Sequence, residues 1–236
     1  MLTVVTFKWS KPGYRSKFEG SHVDTLYRMV KRNYRHKFRF VCITDDDSGI
    51  NEPEIEIFSL WEDFRHVDNP SGRRNPSCYR RLRIFAANAG EWLGSRIVAL
   101  DLDTVITGDM GPVWNRKEDF VIWGDTNHSN PYNGSMVLFT AGARPHLWEE
   151  FDPDVSPGLA RAAGFFGSDQ AWFAYRLGPN ETKWNSRDGV YSFRNHILPR
   201  RSMLPGDARV VFFHGRHDPW QPATQRLAPW IKEHYR

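Results

Sequence analysis

Two aspartates one residue apart are the first residues in this sequence whose types and spacing could do chemistry. Asp101 and Asp103 lie at the end of the apolar run Ile97 to Leu102, which predicts a buried strand. Side chains two residues apart on an extended chain point to the same side, about 6 to 7 Å apart, so both carboxylates can face one site. A divalent cation would offset their mutual repulsion. The alternative is that both are solvent-facing turn residues.

A histidine ends a second apolar strand near the other end of the chain. His214 follows the predicted strand Arg209 to Phe213 and precedes Gly215, whose missing side chain lets the backbone approach a ligand closely. An imidazole beside two carboxylates gives a mixed oxygen and nitrogen ligand set, which suits manganese better than calcium. Alone, His214 would be interpreted as a structural histidine, but with Asp101 and Asp103 it becomes the third predicted metal ligand.

Two further groups place compact polar side chains at the ends of predicted elements. Asn133 and Gly134 precede a strand, and Ser168, Asp169 and Gln170 begin a helix. Both groups also have an ordinary interpretation, because Asn-Gly is a common turn pair and serine followed by aspartate is favoured at a helix start. We prefer a functional interpretation of these two groups only because the sequence also contains the pair Asp101 and Asp103.

The elements that must position these residues alternate between strands and helices. Strands are predicted at Leu2 to Phe7, Phe38 to Thr44, Ile55 to Leu60 and Ile97 to Leu102, with helices capped by Ser21 with Asp24 and by Ser77, the second ending at Gly90. This β-α-β-β-α-β order predicts an α/β fold with a Rossmann-like, mostly parallel sheet that binds ligands at the carboxyl ends of its strands. No linker or repeat divides the chain. We therefore expect one domain over residues 1–236, with a nucleotide-binding half (1–105) and a less regular acceptor and metal-completing half (106–236).

Composition excludes several other classes of protein. The 236 residues are 40% hydrophobic and 25% charged, which is typical of a globular chain large enough to bury a core. The net charge of +4 is too small to indicate nucleic acid. Basic clusters at Arg28 to Arg39 and Arg73 to Arg83 are most simply solvated faces, and binding of phosphates or of an anionic membrane surface is the alternative. Because no apolar run suits a spanning helix and the start reads as a strand, we expect a cytoplasmic protein, with peripheral contact to the inner face of the membrane left open.

In this order, the motifs resemble those of glycosyltransferase family 8, the glycogenin and lipopolysaccharide galactosyltransferase group. The resemblance runs from Thr6 to Trp220 and is carried by Asp101-x-Asp103, Asn133-Gly134, Asp169-Gln170 and the stretch Phe213 to Trp220. It implies a GT-A fold that moves a sugar from a nucleotide-sugar donor, usually a UDP-sugar, with retention of anomeric configuration. It also implies Mn²⁺, with Mg²⁺ as the alternative, held by Asp101, Asp103 and His214.

The resemblance also assigns roles to single residues. Asp169 and Gln170 match the catalytic pair near the sugar, Arg81 matches a basic residue for the donor, and Thr6 matches a nucleoside contact. The family's terminal motif often has lysine before Pro-Trp, whereas this chain has Asp218 there, so Lys8, Arg194 or Arg216 would have to supply the charge for the diphosphate. The predicted donor-binding residues are Thr6, Lys8, Arg81, Asp101, Asn133, Arg194, Gly215 and Arg216.

Two alternative functions remain open from the sequence. Asp101 to Val105 also fits the pattern of a haloacid dehalogenase-type phosphatase, with Asp101 as nucleophile, although that motif usually opens its domain. The second alternative is a nucleotide-sugar or glycan-binding module without turnover, which only Asp218 favours. The acceptor, whether glycan, lipid-linked sugar or protein, is not indicated by any motif.

Overall fold

Ten strands form two sheets in the computed structural model, which describes residues 1–9, 17–70, 72, 77–124 and 130–236. The strands are β1 (Leu2–Lys8), β2 (Phe38–Thr44), β3 (Ile55–Ser59), β4 (Arg96–Leu100), β5 (Thr104–Ile106), β6 (Phe120–Gly124), β7 (Tyr132–Thr140), β8 (Thr182–Trp184), β9 (Val190–Ser192) and β10 (Val210–Phe212). The larger sheet has the order β3-β2-β1-β4-β7-β6-β8, and the smaller one has the order β5-β10-β9.

The larger sheet is mostly parallel, which confirms the predicted fold class. Strands β1 to β4 all run the same way, and β6 pairs with β8 in parallel. Strand β7 alone runs antiparallel to its neighbours β4 and β6. Because β1 is buried along its whole length, alternate residues enter different cores: Val4 lies in the apolar cluster on one face of the sheet and Val5 in the cluster on the other.

Eight α-helices flank these sheets in the described ranges. They are α1 (Gly20–Asn33), α2 (Gly90–Leu93), α3 (Gly111–Trp114), α4 (His146–Glu149), α5 (Ser156–Ala162), α6 (Asp169–Leu177), α7 (Pro222–Leu227) and α8 (Trp230–His234). In the part of the chain that the structure describes, none of the helices has the length and apolar character that crossing a bilayer requires.

Helix α1 begins earlier than the sequence predicts. Its N-cap is Glu19, whose side chain accepts the backbone N–H of His22, while the His22 ring accepts the N–H of Glu19 at 3.0 Å. The predicted cap, Ser21 with Asp24, is wrong because Asp24 faces the loop after β2 and accepts the backbone N–H groups of Asn51 and Glu52 at 3.0 and 3.2 Å.

The predicted helix from Ser77 to Gly90 is also wrong. The chain forms a 3₁₀ segment at Tyr79–Phe85, and Gly90 starts α2 instead of ending a helix. Side chains three residues apart share one face of a 3₁₀ turn, and Tyr79, Leu82 and Phe85 are all buried at this spacing. This turn leaves Arg81 on another side of the segment.

The smaller sheet brings the end of the chain back to the end of β4. Strand β10 pairs antiparallel with β5 and parallel with β9. The backbone N–H of Phe213 then donates to the carbonyl oxygen of Asp103 at 2.8 Å, so His214 follows directly beside the aspartate pair. Strand β10 confirms the predicted buried strand near Arg209 to Phe213.

Candidate functional site

Arg81 is the centre of the polar network at the carboxyl end of β4. Its Nη1 atom pairs with Oδ1 of Asp101, and its Nη2 and Nε atoms both bind Oδ2 of Asp169, the latter at 2.9 Å. The exposed fraction of the side chain is 12% for Arg81, 27% for Asp101 and 5% for Asp169. One guanidinium therefore joins two predicted site carboxylates in a largely buried position.

The charges in this network depend on each other. Burial alone lowers the pKa of Arg81, but the two carboxylates more than offset it and hold that pKa well above its usual value. Burial raises the pKa of Asp169, and the contacts with Arg81 oppose that shift. Because a buried carboxylate without a partner is costly, Arg81 is what allows Asp169 to be ionised inside the protein.

Three elements hold these charges in place. Asp101 follows β4, and its backbone N–H donates to the carbonyl oxygen of Ser135 at 3.0 Å. Asp169 is the first residue of α6, and the Ser168 hydroxyl before it accepts the backbone N–H of Cys78 at 3.0 Å. That bond ties the start of α6 to the 3₁₀ segment that carries Arg81.

Asn133 and Gly134 lie inside β7, not in a turn before it. The pairing of β6 with β7 passes from Ile122 opposite Val137 to Trp123 opposite Asn133, so the intervening residues of β7 form a bulge. Oδ1 of Asn133 accepts the N–H of Ser135 at 2.9 Å. A Cβ atom at position 134 would lie 2.9 Å from Nη2 of Arg81. The glycine therefore makes room for the guanidinium, and the turn interpretation is wrong.

His214 faces the same region from β10. Its Nε2 atom lies 2.7 Å from the hydroxyl oxygen of Ser192, and its ring lies 6.0 Å from the ring of Trp123. Burial, reinforced by the nearby charge of Arg194, lowers the pKa of His214 to about 4. The imidazole is therefore neutral near pH 7.

Two of the three predicted metal ligands have protein partners as their side chains stand. Asp101 is paired with Arg81, and His214 lies against Ser192. Across residues 1–9, 17–70, 72, 77–124 and 130–236, no group of three or more histidine, cysteine, aspartate or glutamate side chains is arranged to hold an ion. A neutral imidazole and two carboxylates suit Mn²⁺ chemically, but Arg81 supplies the positive charge at Asp101 in this structure.

A cleft of about 360 Å³ lies where β1 and β2 end and α1 begins. It is lined by Lys8, Phe18, Glu19, Gly20, Ser21, Asp46, Ser48 and Gly49. Lys8 is buried; its ammonium donates to the carbonyl oxygen of Asp46 and lies 3.5 Å from the Asp46 carboxylate. Thr6 is fully buried, and its hydroxyl donates to the carbonyl oxygen of Leu100 at 2.8 Å, so its side chain joins β1 to β4 and does not reach the cleft.

The cations predicted to replace the missing lysine are not equivalent. Arg194 is exposed and lies in a π-helical turn at Phe193–Ile197. None of the described side-chain hydrogen bonds or ion pairs involves its guanidinium. It passes beside Gly215, where a Cβ atom would lie 3.7 Å from its guanidinium and where φ is +92°. Arg216 is exposed and bonds the ring of His217 through Nε at 3.2 Å.

The remaining predicted residues have local partners. Oδ2 of Asp218 accepts from Gln221 Nε2 at 2.7 Å, and the residue is 1% exposed, so this carboxylate belongs to the fold of its own turn. Gln170 is half-buried, and its amide donates to the carbonyl oxygen of Phe166 at 3.3 Å. It stands next to Asp169 but outside the ion-pair network.

Ser192 and Asp46 are not among the site residues predicted from the sequence. Ser192 ends the short apolar strand β9 and contacts His214, and Asp46 holds Lys8. A polar residue at the end of an apolar strand is the same signal that identified Asp101, and it would have identified Ser192 too. Asp46 lies in the acidic turn after β2, and its residue pattern predicts a turn but no contact with Lys8.

Comparison with known protein structures identifies the fold of this chain. No protein-family model and no curated protein sequence matches this chain. A crystal structure of the galactosyltransferase LgtC with donor and acceptor sugar analogs matches with a TM-score of 0.63 and 13% identity over 99% of this chain and 96% of that one. The glycosyltransferase GlyE of Streptococcus pneumoniae TIGR4 matches with a TM-score of 0.58 and 10% identity over 94% of this chain and 57% of that one. The chain therefore has a GT-A glycosyltransferase fold, and membership of family 8 stays a prediction.

Proposed function

We propose that this protein is a glycosyltransferase of the family 8 type that moves a sugar from a UDP-sugar to an acceptor with retention of anomeric configuration. The observation that carries the proposal is the meeting of Asp101, Asp169 and His214 at the carboxyl edge of a GT-A sheet. In open α/β sheets, ligands bind at this edge. The cleft beside Lys8 and the start of α1 is the place we assign to the nucleoside.

The proposed roles follow from the charges that such a transfer develops. Breaking the bond between sugar and phosphate leaves negative charge on the diphosphate, which an exposed cation stabilises. We assign that role to Arg194, because it is exposed beside Gly215 and lies close enough to His214 to lower its pKa. The sugar becomes positively charged in the same step, and Asp169, kept ionised by Arg81, is the carboxylate we assign to its stabilisation.

We also propose that Mn²⁺, or Mg²⁺ in its place, takes part through Asp101, Asp103 and His214. A bound ion would add positive charge at the departing diphosphate. Because the Asp101 carboxylate is paired with Arg81, it would have to turn from that guanidinium to hold the ion. The chain's own residues account for the rest: Gly134 leaves room for Arg81, and Ser192 orients the His214 ring.

Slow hydrolysis of the donor tests the transfer chemistry without knowledge of the acceptor. The full chain is incubated with a panel of UDP-, GDP- and ADP-sugars with MnCl₂, with MgCl₂ and with EDTA, and free sugar is measured. We expect hydrolysis of a UDP-sugar that Asp169→Asn lowers at least about a hundredfold. The matched control is Asp154→Asn, an exposed carboxylate on the loop before α5, which should behave as the unchanged protein. Hydrolysis of none of the sugars, or equal rates for both variants, would reject the proposal.

Calorimetry with UDP separates the metal from the rest of the proposal. We expect UDP to bind more tightly with MnCl₂ than with EDTA, and Asp103→Asn to remove that difference. Equal affinity in both conditions would remove the metal while leaving the transfer intact.

The two alternative functions appear as other results of the same assays. A phosphatase would release phosphate from p-nitrophenyl phosphate, and a binding module would bind UDP without hydrolysing any donor.

A further inference from the structure

The excess positive charge of the chain is concentrated near its end. Residues 186–236 carry nine lysines and arginines against four acidic residues, whereas residues 1–185 carry one more acidic than basic residue. The last 51 residues therefore account for the whole net charge of +4. Such a separation of charge indicates a surface that meets an anionic partner.

Among the described residues, no carboxylate forms an ion pair with these basic side chains. Described ion pairs involve arginines and lysines up to Arg176, and none of them uses a basic residue from Arg187 onward. Arg200 and Arg201 lie side by side and are both exposed. Unneutralised charge of this kind is attracted to an anionic surface, by about 1 kcal/mol for each arginine close to it.

An exposed apolar side chain stands beside this arginine pair. Met203 is 68% exposed. Arg201 and Ser202 have φ angles of 54° and 60°, a left-handed conformation that is unfavourable for residues other than glycine. Two consecutive residues in this conformation turn the chain sharply, with buried Ser202 between exposed Arg201 and exposed Met203. We call residues 199–203 the tip.

The fold holds the tip in this strained form. The backbone N–H of Ser202 donates to the carbonyl oxygen of Ile197 at 3.1 Å, and the indole N–H of Trp230 donates to the carbonyl oxygen of Ser202 at 2.9 Å. Helix α8 therefore braces the tip through Trp230. Strain that the surrounding structure maintains at an exposed position points to a role for that position.

We propose that the tip docks on an anionic lipid bilayer, with Arg200 and Arg201 at the headgroups and Met203 entering the acyl boundary. Nucleic acid would match the charge but offers no apolar layer for the exposed methionine, whereas a bilayer offers both. The tip lies on the segment that leaves the candidate site at Ser192, next to His214. The inference goes beyond the proposed function, since lipid binding needs no donor and no turnover.

Vesicle partitioning of the full chain tests the proposal. The probes are vesicles of phosphatidylcholine alone and vesicles of phosphatidylcholine and phosphatidylglycerol in equal amounts, at low and at high sodium chloride, without nucleotide or metal. We expect binding to the anionic vesicles only, weakened by salt. Replacing both arginines (Arg200→Gln with Arg201→Gln) should weaken partitioning about thirtyfold, and Met203→Ser about tenfold.

Matched variants elsewhere show whether the effect belongs to the tip. Arg28→Gln with Lys31→Gln removes two charges that are paired with Glu52 and Glu54, and Leu159→Ser removes an apolar side chain that is 44% exposed on α5. Both controls should partition as the unchanged chain does, and all variants should keep their unfolding temperature and donor hydrolysis. The proposal fails if the chain ignores anionic vesicles, or if the tip variants partition normally. It also fails if duplex DNA displaces the chain from vesicles and binds the Met203→Ser variant undiminished.

Discussion

The first 185 residues and the last 51 differ in how their arginines are paired. In the first region, several arginines are held by carboxylates: Arg39 binds Glu56 through two bonds, at 2.9 and 2.7 Å, and Arg81 binds both Asp101 and Asp169. In the last region, Arg200 and Arg201 are exposed and take part in no described ion pair. The position of an arginine in the fold, and not its residue type, therefore determines whether it pairs with a carboxylate of the site or stays exposed to a partner.

The ion pairs of the first region also bear on the interpretation of the two basic clusters seen in the sequence. In the cluster Arg28 to Arg39, Arg28 pairs with Glu52 at 3.1 Å and Lys31 with Glu54 at 2.6 Å. In the cluster Arg73 to Arg83, Arg83 pairs with Asp63 at 2.6 Å, while Arg73 and Arg74 lie outside the described residues. The solvated-face interpretation is therefore the better one for the first cluster, and the free charge lies elsewhere.

The largest expected effect comes from removing the buried arginine. Arg81→Met should abolish donor hydrolysis and destabilise the fold by about 3 to 5 kcal/mol, because it leaves the Asp169 carboxylate buried without its partner. Urea unfolding and the hydrolysis assay measure the two effects. Arg83→Met is the control on the same segment: its pair with Asp63 is exposed, so the loss should stay below about 1 kcal/mol. Similar losses for both variants would remove the distinction between buried and exposed arginines.

A smaller effect is expected from crowding the same guanidinium. In Gly134→Ala, the new methyl group would lie 2.9 Å from Arg81 Nη2 and 3.1 Å from Asp169 Oδ2, so the ion pair must shift. We expect a loss of about 1 to 3 kcal/mol in unfolding free energy and a clear loss of hydrolysis. Gly158→Ala is the matched control, because a Cβ atom there has no neighbour within 4 Å. Full activity of Gly134→Ala would mean that Arg81 need not hold its present position.

Ser192 lies in the last region but forms hydrogen bonds within the fold. We therefore expect its replacement to lower both stability and ligand binding, as for the bonded residues of the first region. The Ser192 hydroxyl contacts His214 and accepts the backbone N–H of Asn195 at 3.0 Å. Ser192→Ala should therefore cost about 1 kcal/mol in unfolding free energy and weaken UDP binding, measured by calorimetry. Ser186→Ala, at a half-buried position whose hydroxyl takes part in none of the described hydrogen bonds, serves as the control. No change in either quantity would show that the Ser192 contact does not position His214.

The sequence could predict the edge of the sheet where the site lies, because that depends on local patterns. Asp101 follows an apolar strand and His214 follows another, and the alternation of strands and helices implies a parallel sheet whose carboxyl ends meet. It could not predict the partners of Arg81, since these bonds join residues 20 and 88 positions apart in the chain. Nor could it predict the 3₁₀ segment, where the spacing of Tyr79, Leu82 and Phe85 fits three residues per turn only once their common burial is known.

The smallest expected effect is the change in unfolding free energy when a single arginine from each region is replaced. Arg39→Gln removes a two-pronged bond to Glu56 on adjacent parallel strands, with Arg39 25% exposed, and should lower the free energy of unfolding by about 0.5 to 1 kcal/mol. Arg200→Gln removes a charge that no described carboxylate neutralises, and it should change that free energy by less than about 0.5 kcal/mol. Parallel urea titrations at low and high salt measure both, and salt should reduce only the loss in Arg39→Gln. A larger loss in Arg200→Gln would mean that the tip arginines stabilise the fold and are not reserved for a surface.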